Sequence, residues 1–296
     1  MSTLKIIKKE YRRFGYEKND VEPVEYLEVS ALYDENNLLV REERFEPDGT
    51  LNTLTVNQYN EKQLLIFTEQ HDQDNTLLQK TENTYDADNR LVSQRMYFGE
   101  DSTEYTCKFL YDDEGHELRR EMYIDGKLDY VENFKEYKDG RLVKETENDD
   151  YGKPMYEHLY EYNEKGLVMR YVREEVQNKD RRSYEYTYDE QGRCIKELIY
   201  DYDNTLIAKK YSTYNEDGNL TMSEEEDLDN YRKVVLEYEG RLVVKNYLYE
   251  RDDKLVGWAE YGYDDNGKEI SSTEYIRDEV DPESHRLLRV THYERA

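Results

Sequence analysis

The candidate imidazoles and thiols of this 296-residue chain are five histidines and two cysteines. His285 and His292 stand seven positions apart, without the i,i+4 spacing of a helical zinc pair, and Cys107 and Cys194 lack metal-ligand spacing. The sequence contains no G-x-S-x-G motif and no glycine-rich phosphate loop. It therefore predicts no catalytic, metal-binding or cofactor-binding residues, and a protein that is not an enzyme. The remaining histidines are His71, His116 and His158.

Carboxylates are abundant, with 70 Asp and Glu residues against 42 Lys and Arg residues. The runs 72–75 and 201–204 resemble fragments of a calcium-binding loop, but neither continues to the glycine and terminal glutamate of such a loop. Aspartate and asparagine also form tight turns, because their side chains accept hydrogen bonds from backbone N–H groups two residues on. These runs therefore predict turns.

A tyrosine followed by a turn sequence recurs along the whole chain. This repeat indicates the strands and turns on which the histidines, cysteines and carboxylates lie. Successive tyrosines are 24 to 26 residues apart, and a Gly or Asn stands four residues after most of them. Gly and Asn tolerate a left-handed backbone, so this pattern predicts a hairpin turn. A second turn signal follows in each unit, as in Asp48-Gly49, so a unit is two β-strands and two turns. The ten repeat tyrosines are Tyr33, Tyr59, Tyr85, Tyr111, Tyr137, Tyr162, Tyr188, Tyr214, Tyr238 and Tyr263.

We therefore predict an all-β fold of about ten 26-residue β-hairpin repeats. They are expected to form one long, curved antiparallel meander, a β-solenoid-like or superhelical sheet. The chain 1–296 is a single elongated domain, in which 1–32 supply capping strands (4–11 and 24–32), 33–277 the repeats and 278–296 a C-terminal cap. The even spacing of Leu39 and Phe45 predicts one stripe shared with the repeat tyrosines, whose hydroxyl groups reach water at the rim.

Composition excludes several classes of protein. The formal net charge is -28, and 32 tyrosines dominate a hydrophobic fraction of 36%. No run approaches the ~20 apolar residues of a membrane span, and the charge repels nucleic acids and anionic membranes. The first ten residues lack the apolar region of a signal peptide, and two cysteines are too few for a disulfide framework. We therefore expect a cytoplasmic protein without direct contact to nucleic acid or membrane.

The tyrosine-turn core of the repeat, clear in YDEQGRC (188–194) and YNEDGNL (214–220), resembles the YD repeat of Rhs-type proteins. The resemblance covers nearly the whole chain. Members of that family use long runs of such repeats to build a β shell around a toxin domain, whereas this sequence lacks their C-terminal core motif and an appended toxin domain. The repeat is also similar in style to the shorter repeats of YwqK-type antitoxin proteins. Both resemblances imply an association with bacterial toxin systems.

These features predict a non-enzymatic, acidic, tyrosine-rich protein-binding protein of the immunity or antitoxin kind, which binds a basic toxin domain. Two alternatives are a scaffold or Rhs-like shell fragment that self-assembles through exposed strand edges, and a nucleic-acid mimic that blocks a DNA-binding enzyme. Charge that serves solubility alone is a further interpretation. The predicted partner-binding residues are aromatic rings outside the two regular repeat positions. They are Tyr171, Tyr202, Tyr247 and Trp258.

Overall fold

The computed structural model describes residues 2–10, 24–99, 103–278 and 284–295, and within them the all-β prediction is confirmed. Tyr11 of the first predicted strand, and 279–283 and 296 of the predicted cap, lie outside the described residues. In the described ranges no helix is long and apolar enough to cross a membrane. A short 3₁₀ turn spans Arg251–Asp253. The 22 strands are β1 (Ser2–Glu10), β2 (Val24–Tyr33), β3 (Leu39–Phe45), β4 (Leu51–Tyr59), β5 (Leu65–Asp72), β6 (Leu77–Tyr85), β7 (Leu91–Tyr97), β8 (Tyr105–Tyr111), β9 (Glu117–Ile124), β10 (Lys127–Lys138), β11 (Arg141–Asn148), β12 (Pro154–Tyr162), β13 (Val168–Glu175), β14 (Asp180–Tyr188), β15 (Cys194–Tyr200), β16 (Leu206–Tyr214), β17 (Leu220–Asp227), β18 (Tyr231–Glu239), β19 (Leu242–Glu250), β20 (Lys254–Tyr263), β21 (Glu269–Arg277) and β22 (His285–Arg295).

The strands form a closed antiparallel barrel. Each strand pairs with its neighbours in the chain, and β1 pairs with β22 as well as with β2. Ile6 thus lies opposite Val29 on one side and Tyr293 on the other. The prediction of an open, solenoid-like meander is therefore wrong. Both terminal segments that were predicted as caps contribute a strand to the pairing that closes the sheet.

A β-bulge follows every turn after a repeat tyrosine, and it supplies the physical reason for closure. Tyr33 pairs with Leu39 and Leu32 pairs with Arg41, so Val40 is an extra residue in β3. The other nine hairpins of this type have the same register shift. A bulge bends the strand and increases its twist. Ten bulges at equivalent positions therefore curl a twisted sheet until its first and last strands meet.

The bulge also decides which side chains share a face. Arg44 lies opposite Val29, and Val29 and Tyr33 are on the same face, so Phe45 lies on the other one. The predicted single stripe is therefore wrong, because the extra residue reverses the alternation inside each hairpin. We call the face of the repeat tyrosines the tyrosine face, and the face of Phe45 and its equivalents the ion-pair face.

The hydroxyl groups of the repeat tyrosines donate hydrogen bonds to the backbone instead of reaching water. Tyr188 donates to the carbonyl of Val168, twenty residues earlier, at 2.7 Å. Eight other repeat tyrosines make the equivalent bond, at 2.6 to 3.1 Å. Burial raises the pKa of several of these phenols, including Tyr59 and Tyr188, which keeps them protonated donors. The bonds link each repeat to the preceding one across the rim.

The barrel wall is one sheet thick and encloses no packed core. The accessible surface is 19068 Å², against about 13,300 Å² expected for a compact monomer of the same mass. Among the described residues, the buried hydrophobic side chains are only Val29, Ala31, Cys107, Val172 and Ala259. Opposite walls packed against each other would bury many more side chains. Both faces of the sheet are therefore hydrated.

We expect small-angle X-ray scattering to show this hollow shape directly. A compact chain of this length has a radius of gyration of about 19 Å. A round barrel of 22 strands, spaced about 4.8 Å and tilted about 40°, would be roughly 40 Å across and give a value several ångströms larger. A monomer with a radius near 19 Å would contradict the hollow barrel.

Candidate binding surfaces

Most of the net negative charge of the described residues lies at the two ends of the barrel. The 22 strands together carry a formal charge of -3, and the described residues between them carry -20. Residues outside the described ranges hold the remaining -5 of the total of -28. We call the end formed by the turns after the repeat tyrosines the tyrosine rim, and the other end the opposite rim. The described turns of each rim carry -10.

Turn geometry explains why so many carboxylates stand at the rims. Asp34 accepts hydrogen bonds from the backbone N–H groups of Asn36 and Leu38, and its equivalents in other turns do the same. In one such turn the backbone amide of Arg90, followed by its side chain, lowers the pKa of Asp86. The hydroxyl and amide of Thr50 lower the pKa of Asp48, and the amides of Asp229 and Asn230 lower the pKa of Asp227. The rims therefore stay negative well below neutral pH.

Charges on the ion-pair face are largely matched within the sheet. Lys and Arg side chains there lie within 3 Å of Glu side chains on the same or the neighbouring strand, which leaves the strands nearly neutral. Such exposed pairs contribute little stability, typically below about 1 kcal/mol each. Because these pairs cancel most of the charge on the strands, the electrostatic field of the protein originates mainly at the rims. Examples are Lys80–Glu82, Arg119–Glu121, Lys144–Glu157, Arg170–Glu161 and Lys245–Glu260.

The structure brings together two of the four predicted partner-binding residues. Tyr247 of β19 lies directly opposite Trp258 of β20 on the ion-pair face. The Trp258 ring stacks on Tyr275 of β21 with centroids 4.6 Å apart, and the His285 ring, one strand further on in β22, lies 5.2 Å from the Trp258 ring. Lys245 Nζ lies 5.1 Å from the Tyr247 ring and 5.7 Å from the Trp258 ring. The rings are thus packed along the sheet rather than projected outward.

A cavity of about 300 Å³ lies at the same strands, β18 to β22. Its lining includes Val234, Leu248, Tyr261 and Ile276, with Asn246 as a polar group. Asn246 donates to the Tyr261 hydroxyl at 2.8 Å and accepts from the Ala259 amide at 3.0 Å. Its polar atoms are therefore already used in holding β19 to β20. Tyr247 and Trp258 also belong to the lining.

Tyr171 belongs to a separate cluster on the tyrosine face of β12 to β14. Its ring centroid lies 5.2 Å from those of both Tyr160 and Tyr184. Its hydroxyl lies 2.7 Å from Nδ1 of the buried His158, whose Nε2 is 3.3 Å from Glu147 without hydrogen-bond geometry. Burial raises the pKa of Tyr160 to about 12, and the neighbouring Tyr171 phenol is the second-largest cause of this increase. The cluster is a row of half-buried rings along the tyrosine face and does not join Trp258.

Tyr202 lies apart from the other three, at the tip of an opposite-rim turn, where it is 68% exposed. Three side chains that sequence reasoning missed also stand in opposite-rim turns: Tyr151 is 86% exposed, Leu228 76%, and Phe98, directly after β7, 53%. The signal that could have revealed them is a large apolar residue inside an acidic turn, as in Asp150-Tyr151-Gly152. Tyr151, Leu228 and Tyr202 are the most exposed large hydrophobic side chains of the described structure.

The cysteines and histidines are dispersed. Burial raises the pKa of Cys107 to about 11, so its thiol stays protonated at neutral pH, and burial also raises the pKa of Cys194. Within the described ranges no three His, Cys, Asp or Glu side chains are grouped to hold a metal ion. The arrangement offers contact surfaces at the rims and aromatic stacks along the sheet.

No family model matches this chain, and no curated protein matches it. Solved structures similar to it include the TcdB2–TccC3–Cdc42 complex, at a TM-score of 0.41 and 14% identity over 98% of this chain and 19% of that one. TcdB2–TccC3 is similar at 0.36 and 13%, over 98% and 20%. A porin-like protein from Bacteroides uniformis is similar at 0.35 and 11%, over 99% and 97%. This chain spans about a fifth of the length of the TcdB2–TccC3 chains.

Proposed function

We propose that this protein is a non-enzymatic binding protein of the immunity or antitoxin kind, which binds a basic protein partner through its acidic rims. The observation that carries the proposal is the placement of the charge: -20 in the described turns against -3 in the strands. Charge concentrated at two ends steers an oppositely charged partner to those ends and raises its association rate. The likeness of the repeat to Rhs-type YD repeats and YwqK-type antitoxins supports a toxin partner.

The placement argues against charge that serves only solubility or edge protection. Edge strands need charge because they present unpaired backbone groups, and closure removes such edges. In the described sheet every strand has a partner on both sides. A soluble barrel would be served equally by charge on its hydrated faces, yet those faces are nearly neutral. The rims therefore carry more charge than closure of the sheet requires.

A shell around a guest polypeptide is the second candidate function, and the hollow barrel favours it. The wall has hydrated faces on both sides and no packed core, so one face lines a lumen. Self-assembly through strand edges would need another surface, since closure leaves no free edge in the described sheet. Nucleic-acid mimicry is disfavoured by charge spacing: neighbouring turns of one rim are two strands, roughly 10 Å, apart, whereas each DNA strand carries one phosphate per about 3.4 Å of helix axis.

Affinity capture from the native lysate with three matched baits tests the binding function. In the first bait, the three acidic residues at 112–114 of the tyrosine rim are replaced by the corresponding amides. The second bait carries Asp150→Asn, Asp229→Asn and Asp252→Asn at the opposite rim. The control changes the strand acids at 224–226 to amides, an equal loss of three charges. We expect wild type and control to retain one basic protein at low salt, and at least one rim bait to retain about fivefold less.

Mass spectrometry identifies the retained protein, and the purified partner must then bind the purified bait with the same salt dependence. Recovery of the bait alone, or equal loss with the strand control, would refute the proposal. Recovery of a neutral or acidic partner that resists high salt would refute it as well.

A further inference from the structure

The two rims have similar charge but different apolar content. Phe98, Tyr151, Tyr202 and Leu228 all stand in turns of the opposite rim, exposed by 53% to 86%. Exposed strand residues stand next to both rims, at 41% to 54% near the opposite rim and at 38% to 46% near the tyrosine rim, so the difference lies in the turns. At the tyrosine rim, none of the large hydrophobic side chains in the described turns is exposed. The strand residues of the opposite rim are Val24, Leu78, Leu128 and Leu206.

Turn chemistry does not require this difference. Both rims use the same aspartate turn: Asp149 accepts from the amides of Tyr151 and Lys153, as Asp34 does from Asn36 and Leu38 at the tyrosine rim. Tyr202 and Tyr151 stand one and two residues after the turn aspartate at the opposite rim, and the same two positions hold mostly polar residues at the tyrosine rim, such as Glu35 and Asn36. Large exposed aromatic and aliphatic side chains that recur in the turns of one end can serve as separate anchors for a protein partner.

The four tips spread along the rim. They lie in the turns β7–β8, β11–β12, β15–β16 and β17–β18, so neighbouring tips are two to four strands, roughly 10 to 20 Å, apart. A small molecule cannot contact several of them at once. A protein surface of ordinary interface size can.

We propose that the opposite rim is a docking surface for a basic protein that presents apolar side chains between its cationic ones; this rests on the proposed binding function and names its site. Charge complementarity selects the occupant. A second copy docked end to end would bring two rims of -10 together, and like charge likewise disfavours nucleic acid and anionic lipid. The tips supply apolar anchors, and the surrounding aspartates supply the complement to the partner's cations.

Two synthetic peptides of twenty residues test the surface with purified protein: alternating Lys and Leu, and alternating Lys and Ser. Both carry the same charge and reach at most about 70 Å when extended, enough to span several tips. The main variant combines Tyr151→Ser, Tyr202→Ser and Leu228→Ser. The control variant combines Leu118→Ser, Met169→Ser and Ile270→Ser, which removes three exposed apolar groups near the tyrosine rim. Fluorescence anisotropy measures each dissociation constant, and circular dichroism checks that both variants are folded.

We expect wild type to bind the Lys/Leu peptide about tenfold more tightly than the Lys/Ser peptide. The main variant should lose that preference, and the control variant should keep it. Equal affinity of wild type for the two peptides, or loss of the preference in the control variant, would overturn the inference. Dimers of wild type that the main variant abolishes would overturn it too, by identifying a second copy as the occupant. Failure of lysate capture with a retained peptide preference would refute the proposed function and leave this surface standing.

Discussion

Replacing Gly257 by alanine is expected to destabilise the protein by about 3 kcal/mol, the upper part of the range for overpacking. A Cβ atom at this position would lie 2.3 Å from the backbone oxygen of Tyr275 and 3.2 Å from the Cα of Ile276. Because these atoms belong to the β21 backbone, relief requires β20 and β21 to move apart. Urea unfolding followed by the fluorescence of Trp258 measures the effect at the adjacent residue, which is the only tryptophan of the chain.

Gly262→Ala is the matched control on the same strand. Its Cβ would meet Ser271 Oγ at 2.5 Å, a side-chain atom that moves by rotation about one bond, so the expected cost is below about 1 kcal/mol. Equal unfolding midpoints for the two variants would show that the β20–β21 spacing yields easily and would contradict the prediction.

Removing three neighbouring hydroxyl groups of the tyrosine rim is expected to cost about 3 kcal/mol in total, or about 1 kcal/mol for each hydrogen bond. The variant combines Tyr162→Phe, Tyr188→Phe and Tyr214→Phe, whose hydroxyls donate to backbone carbonyls at 2.7, 2.7 and 3.0 Å. Phenylalanine keeps the aromatic ring, and with it the contact in which Arg193 Cζ lies 4.7 Å from the centroid of the Tyr214 ring. The loss therefore reports the hydroxyl groups alone.

The control carries Tyr151→Phe and Tyr202→Phe, whose side chains are 86% and 68% exposed. Substitutions at such positions change the free energy of unfolding by less than about 0.5 kcal/mol. Urea midpoints by circular dichroism compare the two variants with wild type. A triple variant as stable as the control would mean that water replaces the phenol as donor to each carbonyl, and that the bonds do not tie the repeats together.

The turns were predictable because their chemistry is local. The repeat places Asn37, Asn89 and Gly115 four residues after a tyrosine, and all three have positive φ. Gln63 occupies the same left-handed position at φ 63°, and the pattern missed it because glutamine carries no turn signal of its own. There the bonds to Asn60, which accepts from the amides of Lys62 and Leu64, hold the loop in shape.

The candidate surfaces were only partly predictable. Tyr202 was selected as an aromatic outside the regular positions, and the structure places it at an exposed tip. The contact of Tyr247 with Trp258 depends on the register of β19 and β20, which shifts between Leu248 and Tyr249. A register shift of one residue moves a side chain to the other face. No residue type in this segment indicates where the shift occurs. The stack on Tyr275 depends in turn on the pairing with β21.

The strands and the turns follow from local sequence, because turn bonds and strand alternation act over a few residues, and the total charge is a sum over residue types. Three features arise only in the folded sheet: β1 pairs with β22, each bulge places the repeat tyrosine and the second aromatic on opposite faces, and net negative charge collects at the two rims. Closure depends on twist and bend accumulated over 22 strands, which no single repeat contains. Closure also turns a row of local turns into two rings, and it places four separate apolar tips on one of them.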